Sequence, residues 1–161
     1  MDADPSMLSE TDLPVDPLRL DVQLCFALYS ASNLLTRMYR AYLAPMGLTY
    51  PQYVALLALW ETSPQTVGEL CRRLTLDSGT LSPLFRRLEA MGVVRRERDV
   101  GDHRRVLIHL TSKGRAMREQ ALEIPRKLAC EFPISMEEAV ALQVALSRLA
   151  DGLQSQAADP E

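Results

Sequence analysis

A mainly α-helical fold with one small β-hairpin is predicted for this chain, on three observations. Apolar residues recur at helical spacing in two long segments, as Leu24, Leu28, Ala31, Leu35, Met38 and Tyr42 near the beginning and as Leu142, Leu146, Leu149 and Leu153 near the end. Between them, two short helical patterns, GELCRRL and LSPLFRRLEAMG, are joined by a tight turn at Thr75-Leu76, which makes a helix-turn-helix. Directly after it, two strand-like segments, 93–98 and 104–110, flank the turn Asp99-Val100-Gly101-Asp102. A basic hairpin in that place is a wing, so the fold class is a winged helix-turn-helix set between long helices.

The elements follow in order. Residues 1–16 are acidic, short of aromatics and interrupted by Pro5 and Pro14, and are expected to be disordered. Asp16-Pro17 reads as a cap and first helical residue, opening a region of N-terminal helices over 17–61. The first of these should stop near Pro45-Met46-Gly47. Thr49-Tyr50-Pro51-Gln52 has a capping-box pattern, and the YVALLALWE that follows is apolar nearly all round, as in a buried helix. The winged helix-turn-helix, a DNA-binding domain by expectation, covers 62–111. In it Thr66 and Glu69 form a second capping-box pattern, Asp77-Ser78-Gly79-Thr80 gives a polar helix start, and Gly92 gives a stop. If the second helix of the pair starts at Asp77, Pro83 costs it a backbone bond. Residues 112–153 are C-terminal helices for dimerisation. One runs over 112–131 with a bend at Ile124-Pro125, and the other opens on the Ser135/Glu138 capping pattern. Its leucine stripe suits either a core or a dimer seam. The tail 154–161 should fray.

Composition narrows the function. The chain has 161 residues, 47% hydrophobic and 24% charged, enough for one domain with a core and ordinary for a soluble protein. No apolar run approaches the roughly 18–20 residues of a membrane span. The acidic start lacks the basic and apolar regions of a signal peptide, so a cytoplasmic location with no membrane partner is expected. Three oddly spaced cysteines make neither a disulfide scaffold nor a zinc site, and no metal or cofactor is expected. Net charge is −3, yet from Cys71 to Arg118 twelve Lys and Arg stand against five Asp and Glu, a balance of +7 that leaves −10 for the rest. Almost all of that positive charge is arginine, which suits phosphate and base edges.

The first long helix carries a second stripe. Cys25, Tyr29, Ser32, Thr36 and Tyr39 recur three or four apart and share a face. Tyr29 is one turn from Cys25, whereas Tyr39 lies roughly 21 Å further along at 1.5 Å per residue. A Tyr39 that touches a Cys25 sulfur therefore touches that of another subunit. The helix alone leaves two readings open: a reactive thiol among phenols, or a small buried hydrophobe among core aromatics. Cys71, on the short helix between Leu70 and Leu74, reads as core.

The order of elements resembles the MarR family of bacterial repressors, and the wing carries that family's Asp102, Arg104 and Leu110-Thr111. Within the family, Leu24-Cys25-Phe26-Ala27-Leu28-Tyr29-Ser30, Gly47-Leu48-Thr49-Tyr50-Pro51-Gln52-Tyr53 and Leu76-Asp77-Ser78-Gly79-Thr80-Leu81 are similar to the organic hydroperoxide resistance regulators. The resemblance spans about residues 20 to 131. It implies a homodimeric repressor without enzyme activity that releases operator DNA on oxidation. It places Cys25 as the sensor thiol and Tyr29, Tyr39 and Tyr50 as its hydrogen-bonding phenols. Cys130 matches the resolving cysteine that some members keep near the end of the fifth helix, and in the family that pair forms between subunits.

On this reading, phenol hydrogen bonds stabilise the Cys25 thiolate, the form that attacks peroxide. Leu24, Phe26, Leu28, Met38 and Trp60 would admit the alkyl tail of an organic hydroperoxide. Ser78, Gly79 and Thr80 offer backbone amides to phosphate. Ser78, Thr80, Ser82, Arg86 and Arg87 face the major groove of the double-stranded operator, and Arg104, oriented by Asp102 and next to Arg105, reaches the minor groove. The alternative within the family is a repressor released by a small aromatic acid without redox chemistry. A thiol peroxidase lacks its Pro-x-x-x-Thr-x-x-Cys pattern here, and a plain architectural DNA-binding dimer has no use for a sensor thiol.

Overall fold

The computed structural model describes residues 16–158, so the stretch expected to be disordered lies, except for Asp16, outside the described residues. The chain divides after Tyr50 into two compact units.

The first unit is built on α1 (Leu24–Leu43). This helix does not open at Pro17. The Leu18 amide donates to Asp16 Oδ1 at 2.9 Å, a 3-10 turn spans Leu20–Val22, and Gln23 caps α1 from an extended conformation at φ −82° and ψ 114°. The Gln23 side-chain amide donates to the carbonyls of Pro17 and Arg19. Those bonds take up carbonyls that a helix from Pro17 would have used, and they hold a separate turn instead. As a result Cys25 is the second residue of α1, in its first turn. The stop falls where expected, with a 3-10 turn over Ala44–Met46 and Gly47 in the left-handed region at φ 68°.

The second unit begins with α2, whose helix (Tyr50–Glu61) buries Ala55, Leu56, Ala58 and Leu59. Its last carbonyls are claimed by side chains. Gln65 Nε2 donates to Ala58 O at 2.7 Å and also to Thr62 O, and Arg73 Nη1 donates to Ala58 O at 3.2 Å and to Gln65 Oε1 at 3.0 Å. Arg73 also pairs with Glu61. The sequence reading missed one strand, β1 (Gln65–Thr66), which pairs antiparallel with β3 (Val106–Leu110). With β2 (Val94–Arg98) the wing is therefore three-stranded, in the order β1-β3-β2. Val93 and Arg104-Arg105, expected in strands, lie outside them. The Val93 carbonyl turns to accept from Thr111, and the Arg105 amide closes the hairpin turn on Asp102 O at 2.8 Å.

The helix-turn-helix is α3 (Val67–Leu74) and α4 (Ser78–Ala90). The Thr66–Glu69 capping box forms, with Glu69 N to Thr66 Oγ1 at 3.1 Å and Thr66 N to Glu69 Oε2 at 2.7 Å. Thr75 ends α3 in the left-handed region, φ 53°. Asp77 caps α4, so Pro83 does sit inside the helix and supplies no amide to the Gly79 carbonyl. Gly92, at φ 71°, turns the chain into β2. Leu70, Leu81, Phe85, Leu88, Val93, Val94 and Ile108 are fully buried and form the centre of this unit.

Thr111 caps α5 (Ser112–Ala121), and α6 (Glu123–Glu131) follows after a break at Leu122. The break precedes the expected bend at Ile124-Pro125 because Pro125 has no amide for the Ala121 carbonyl. The Ser135/Glu138 capping box opens α7 (Met136–Ala158), with Ser135 N to Glu138 Oε2 at 2.7 Å. This helix takes in residues 154–158, expected to fray, because neither Gly nor Pro follows Gly152 until Pro160. Gln154 Nε2 also donates to Thr75 Oγ1 at 3.0 Å. Apart from half-buried Ala139, the α7 side chains through Gln156 are exposed in the single chain, including Leu142, Leu146, Leu149 and Leu153.

Candidate nucleic-acid interface and thiol site

The start of α4 is set by one carboxylate. Asp77 Oδ1 accepts from the Thr80 amide at 2.8 Å, and Oδ2 accepts from the Thr80 hydroxyl at 2.7 Å. These bonds, hydroxyl first, hold the Asp77 carboxyl below the ordinary range. A Cβ at position 79 would lie 2.9 Å from Asp77 Oδ1, so a larger residue there would make the capping carboxylate shift. Ser78, Gly79, Thr80, Arg86 and Arg87 are exposed and Ser82 is half-buried, while Leu81, Leu84, Phe85 and Leu88 face inward. The helix is thus apolar towards the core and hydroxyl- and arginine-bearing outside.

The wing turn is held by its own side chains. Gly101 N donates to Asp99 Oδ1 at 2.8 Å and Arg104 N to Asp102 Oδ1 at 3.1 Å. Arg104 Nε lies 3.4 Å from the same oxygen, and the Arg104 side chain is 93% exposed. The sequence pairing of Asp102 with Arg104 is present, and Arg105 is exposed beside it. One link between helix and wing was not anticipated. Glu89 Oε1 accepts from Arg96 N at 3.0 Å and Oε2 from Arg96 Nε at 2.7 Å, tying α4 to β2. The Arg96 guanidinium holds the Glu89 carboxyl below its usual range. No spacing rule joins residues seven apart across a helix end and a strand, so this link is not readable from pattern.

In the first unit, Cys25 and Tyr29 are one turn apart on α1, both exposed, Tyr29 at 66%. The reading of Cys25 as a buried core residue does not hold in the single chain. Tyr39 and Tyr50 are brought together, their ring centroids 4.7 Å apart. Burial, and secondarily the Tyr50 phenol, push the Tyr39 hydroxyl above its ordinary value, so it stays protonated and able to donate. Cys130, in the last turn of α6, is exposed, and Cys71 is half-buried rather than core. Among the described residues no cluster of His, Cys, Asp or Glu is suited to a metal ion, and no helix is long and apolar enough to cross a membrane.

The family model of the SarA/Rot transcriptional regulators matches residues 37–120. The chain is 45% identical over 156 residues to the HTH-type transcriptional regulator TtmR of Methylorubrum extorquens, covering 97% of this chain and 80% of that one. It is 41% identical over 138 residues to the organic hydroperoxide resistance transcriptional regulator of Bacillus subtilis, covering 86% and 94%. Among solved structures it is similar to AbfR of Staphylococcus epidermidis. Reduced AbfR bound to DNA is 37% identical, covers 84% of this chain and 94% of that one, and has a TM-score of 0.71. Disulfide-formed AbfR is 38% identical over 82% and 93%, with a TM-score of 0.61. A mutant E. coli MarR complexed with operator DNA is 25% identical over 84% and 99%, with a TM-score of 0.71. With its winged helix-turn-helix, the chain belongs to the MarR/SarA-type transcriptional regulators.

Proposed function

We propose that this chain is a redox-sensing repressor. As a homodimer it binds a near-palindromic operator while Cys25 is reduced, and it lets go when an organic hydroperoxide oxidises Cys25. The observation that carries the reading is Cys25 itself, an exposed thiol in the first turn of α1 with the Tyr29 phenol one turn on. The names of the Bacillus subtilis relative and of the AbfR structures support the same chemistry. The exposed leucine stripe of α7 and the exposed Leu24, Phe26, Leu34 and Leu35 of α1 support a seam with a second copy.

The chemistry balances without a cofactor. The Cys25 thiolate attacks the O–O bond of the hydroperoxide, the alkoxide takes a proton and leaves as the alcohol, and Cys25 becomes a sulfenic acid. The Cys130 thiol of the second subunit then displaces that oxygen as water and forms an intersubunit disulfide. Cys25 and Cys130 both reach solvent in the single chain, and Cys71 less so, which favours this pairing. Non-reducing electrophoresis after one equivalent of cumene hydroperoxide is expected to show a covalent dimer, lost in Cys130→Ser. A monomer carrying Cys25 capped by added small thiol, with no dimer in the wild type, would overturn the disulfide step.

On the DNA side, Ser78, Gly79, Thr80, Ser82, Arg86 and Arg87 enter the major groove, and Asp102, Arg104 and Arg105 serve the minor groove. Arg104→Ala is expected to cost roughly 1–3 kcal/mol of operator affinity if it reads base edges, measured by fluorescence anisotropy. Unchanged affinity would remove the wing from the interface. The rival reading, release by a small aromatic acid, would need an apolar, aromatic-lined cavity such as the one lined by Tyr53, Leu57, Trp60, Arg118, Leu122 and Pro125 in the second unit. At about 220 Å³ it falls short of the roughly 300–1,000 Å³ of ligand sites, which favours the redox reading.

A further inference from the structure

We propose that a groove between the start of α3, α4 and the base of β3 seats a backbone phosphate of the bound duplex, with Arg72 as a DNA-binding residue. The inference rests on the reading that this chain binds duplex DNA through α4 and the wing. The groove has a volume of about 640 Å³ and is lined by Gly68, Glu69, Arg72, Ser82, Arg104 and Arg105, among others. Its lining holds three arginines, Arg72, Arg104 and Arg105, against one carboxylate, Glu69. Guanidinium is weakly hydrated and forks onto phosphate oxygens, so a phosphodiester is the anion this wall fits. A Cβ built on Gly68 meets nothing within 4 Å, so the α3 backbone is open to approach there. Of the first-turn amides of α3, that of Glu69 already donates to the Thr66 hydroxyl, which leaves those of Val67 and Gly68 without intrahelical acceptors.

Position supplies the second argument. Ser82 belongs to the helix that enters the major groove, and Arg104 and Arg105 to the wing at the minor groove. The sugar-phosphate strand dividing the two grooves has to pass between those elements, and the lined space lies between them. Glu69 adjusts the charge of the seat. Its Oε2 accepts from the Thr66 amide at 2.7 Å and from the Thr66 hydroxyl at 2.8 Å, so it is fixed as a cap and cannot swing away from an incoming phosphate. It therefore opposes part of the attraction that Arg72 and its neighbours exert.

The test is a set of salt titrations on a mixed-sequence duplex, read by fluorescence anisotropy, with thermal melts to show that each variant is folded. Arg72→Ala is expected to weaken binding roughly tenfold at low salt and to make the slope of log affinity against log salt shallower by about 0.9. Glu69→Gln, which keeps a capping box and removes the negative charge, is expected to bind about threefold tighter. Arg104→Ala separates this proposal from the reading beneath it. If Arg104→Ala weakens binding while Arg72→Ala matches the wild type in affinity and slope, the phosphate seat is overturned and DNA binding stands. If the wild type does not bind the duplex, both fall. A free anion is the other source of phosphate. Saturable calorimetric binding of inorganic phosphate by the wild type, with duplex affinity untouched by Arg72→Ala, would make the groove a free-anion site and overturn the proposal.

Discussion

A Cys25→Ser variant is expected to bind operator as tightly as the wild type and to keep it after treatment with an organic hydroperoxide. In the wild type the same treatment should lower affinity by roughly 5- to 150-fold, the usual span of coupling between two sites. The variant should show no shift. Serine is close in size to cysteine, and position 25 is exposed in the single chain, so the fold has little to lose. Its hydroxyl does not attack peroxide, so neither a sulfenic acid nor a disulfide can follow. The measurement is operator anisotropy before and after one equivalent of cumene hydroperoxide, then after dithiothreitol, which should restore wild-type binding. If Cys25→Ser releases DNA normally, the sensor is Cys71 or Cys130, and the α1 site has no role in sensing.

The largest stability effect is expected at Gly114. A Cβ there would lie 2.1 Å from the Val93 carbonyl oxygen and 3.1 Å from the Leu110 side chain. The atom that would have to move is backbone, and it already accepts from the Thr111 amide at 3.1 Å and the Thr111 hydroxyl at 3.0 Å. On the other side Trp60 Nε1 donates to the Gly114 carbonyl at 2.8 Å. Neither side can give way without losing hydrogen bonds, so Gly114→Ala should cost about 3 kcal/mol, the upper end of overpacking. That corresponds to a fall in Tm of roughly 6–12 °C for a chain of this size. Gly68→Ala, with nothing within 4 Å of the new carbon, is the control and should be neutral or stabilising by up to about 1 kcal/mol. Equal melting curves for the two variants would show that α5 is not held against Val93 as described.

Local chemistry made much of this fold legible. The Thr66/Glu69 and Ser135/Glu138 boxes, the Thr111 and Asp77 caps and the Gly47 and Gly92 stops each depend on residues within four positions of one another, and all were readable. What escaped depends on partners far apart in the chain. β1 is two residues long and exists only because Gln65 and Thr66 meet Ile108 and Leu107. The true start of α1 was hidden because Gln23 spends its amide on backbone carbonyls, which no helix propensity registers. The leucine stripe of α7 could not be assigned to core or seam from spacing alone, and its exposure in the single chain decides against an intrachain core. Of the site, Asp102 with Arg104 and the exposed face of α4 were visible as pattern. The role of Arg72 was not, because the groove is made by three elements that converge only after folding.

The bond between Glu89 and Arg96 has a mechanical consequence. It clamps the far end of the reading helix to the first long strand of the wing, on both the backbone and the guanidinium of one residue. Helix and wing then behave as the two jaws of a calliper set to one gauge. A motion that folded the wing back from α4 would first have to break both hydrogen bonds. While they hold, helix and wing move together, so on the proposed reading the loss of one groove brings the loss of the other.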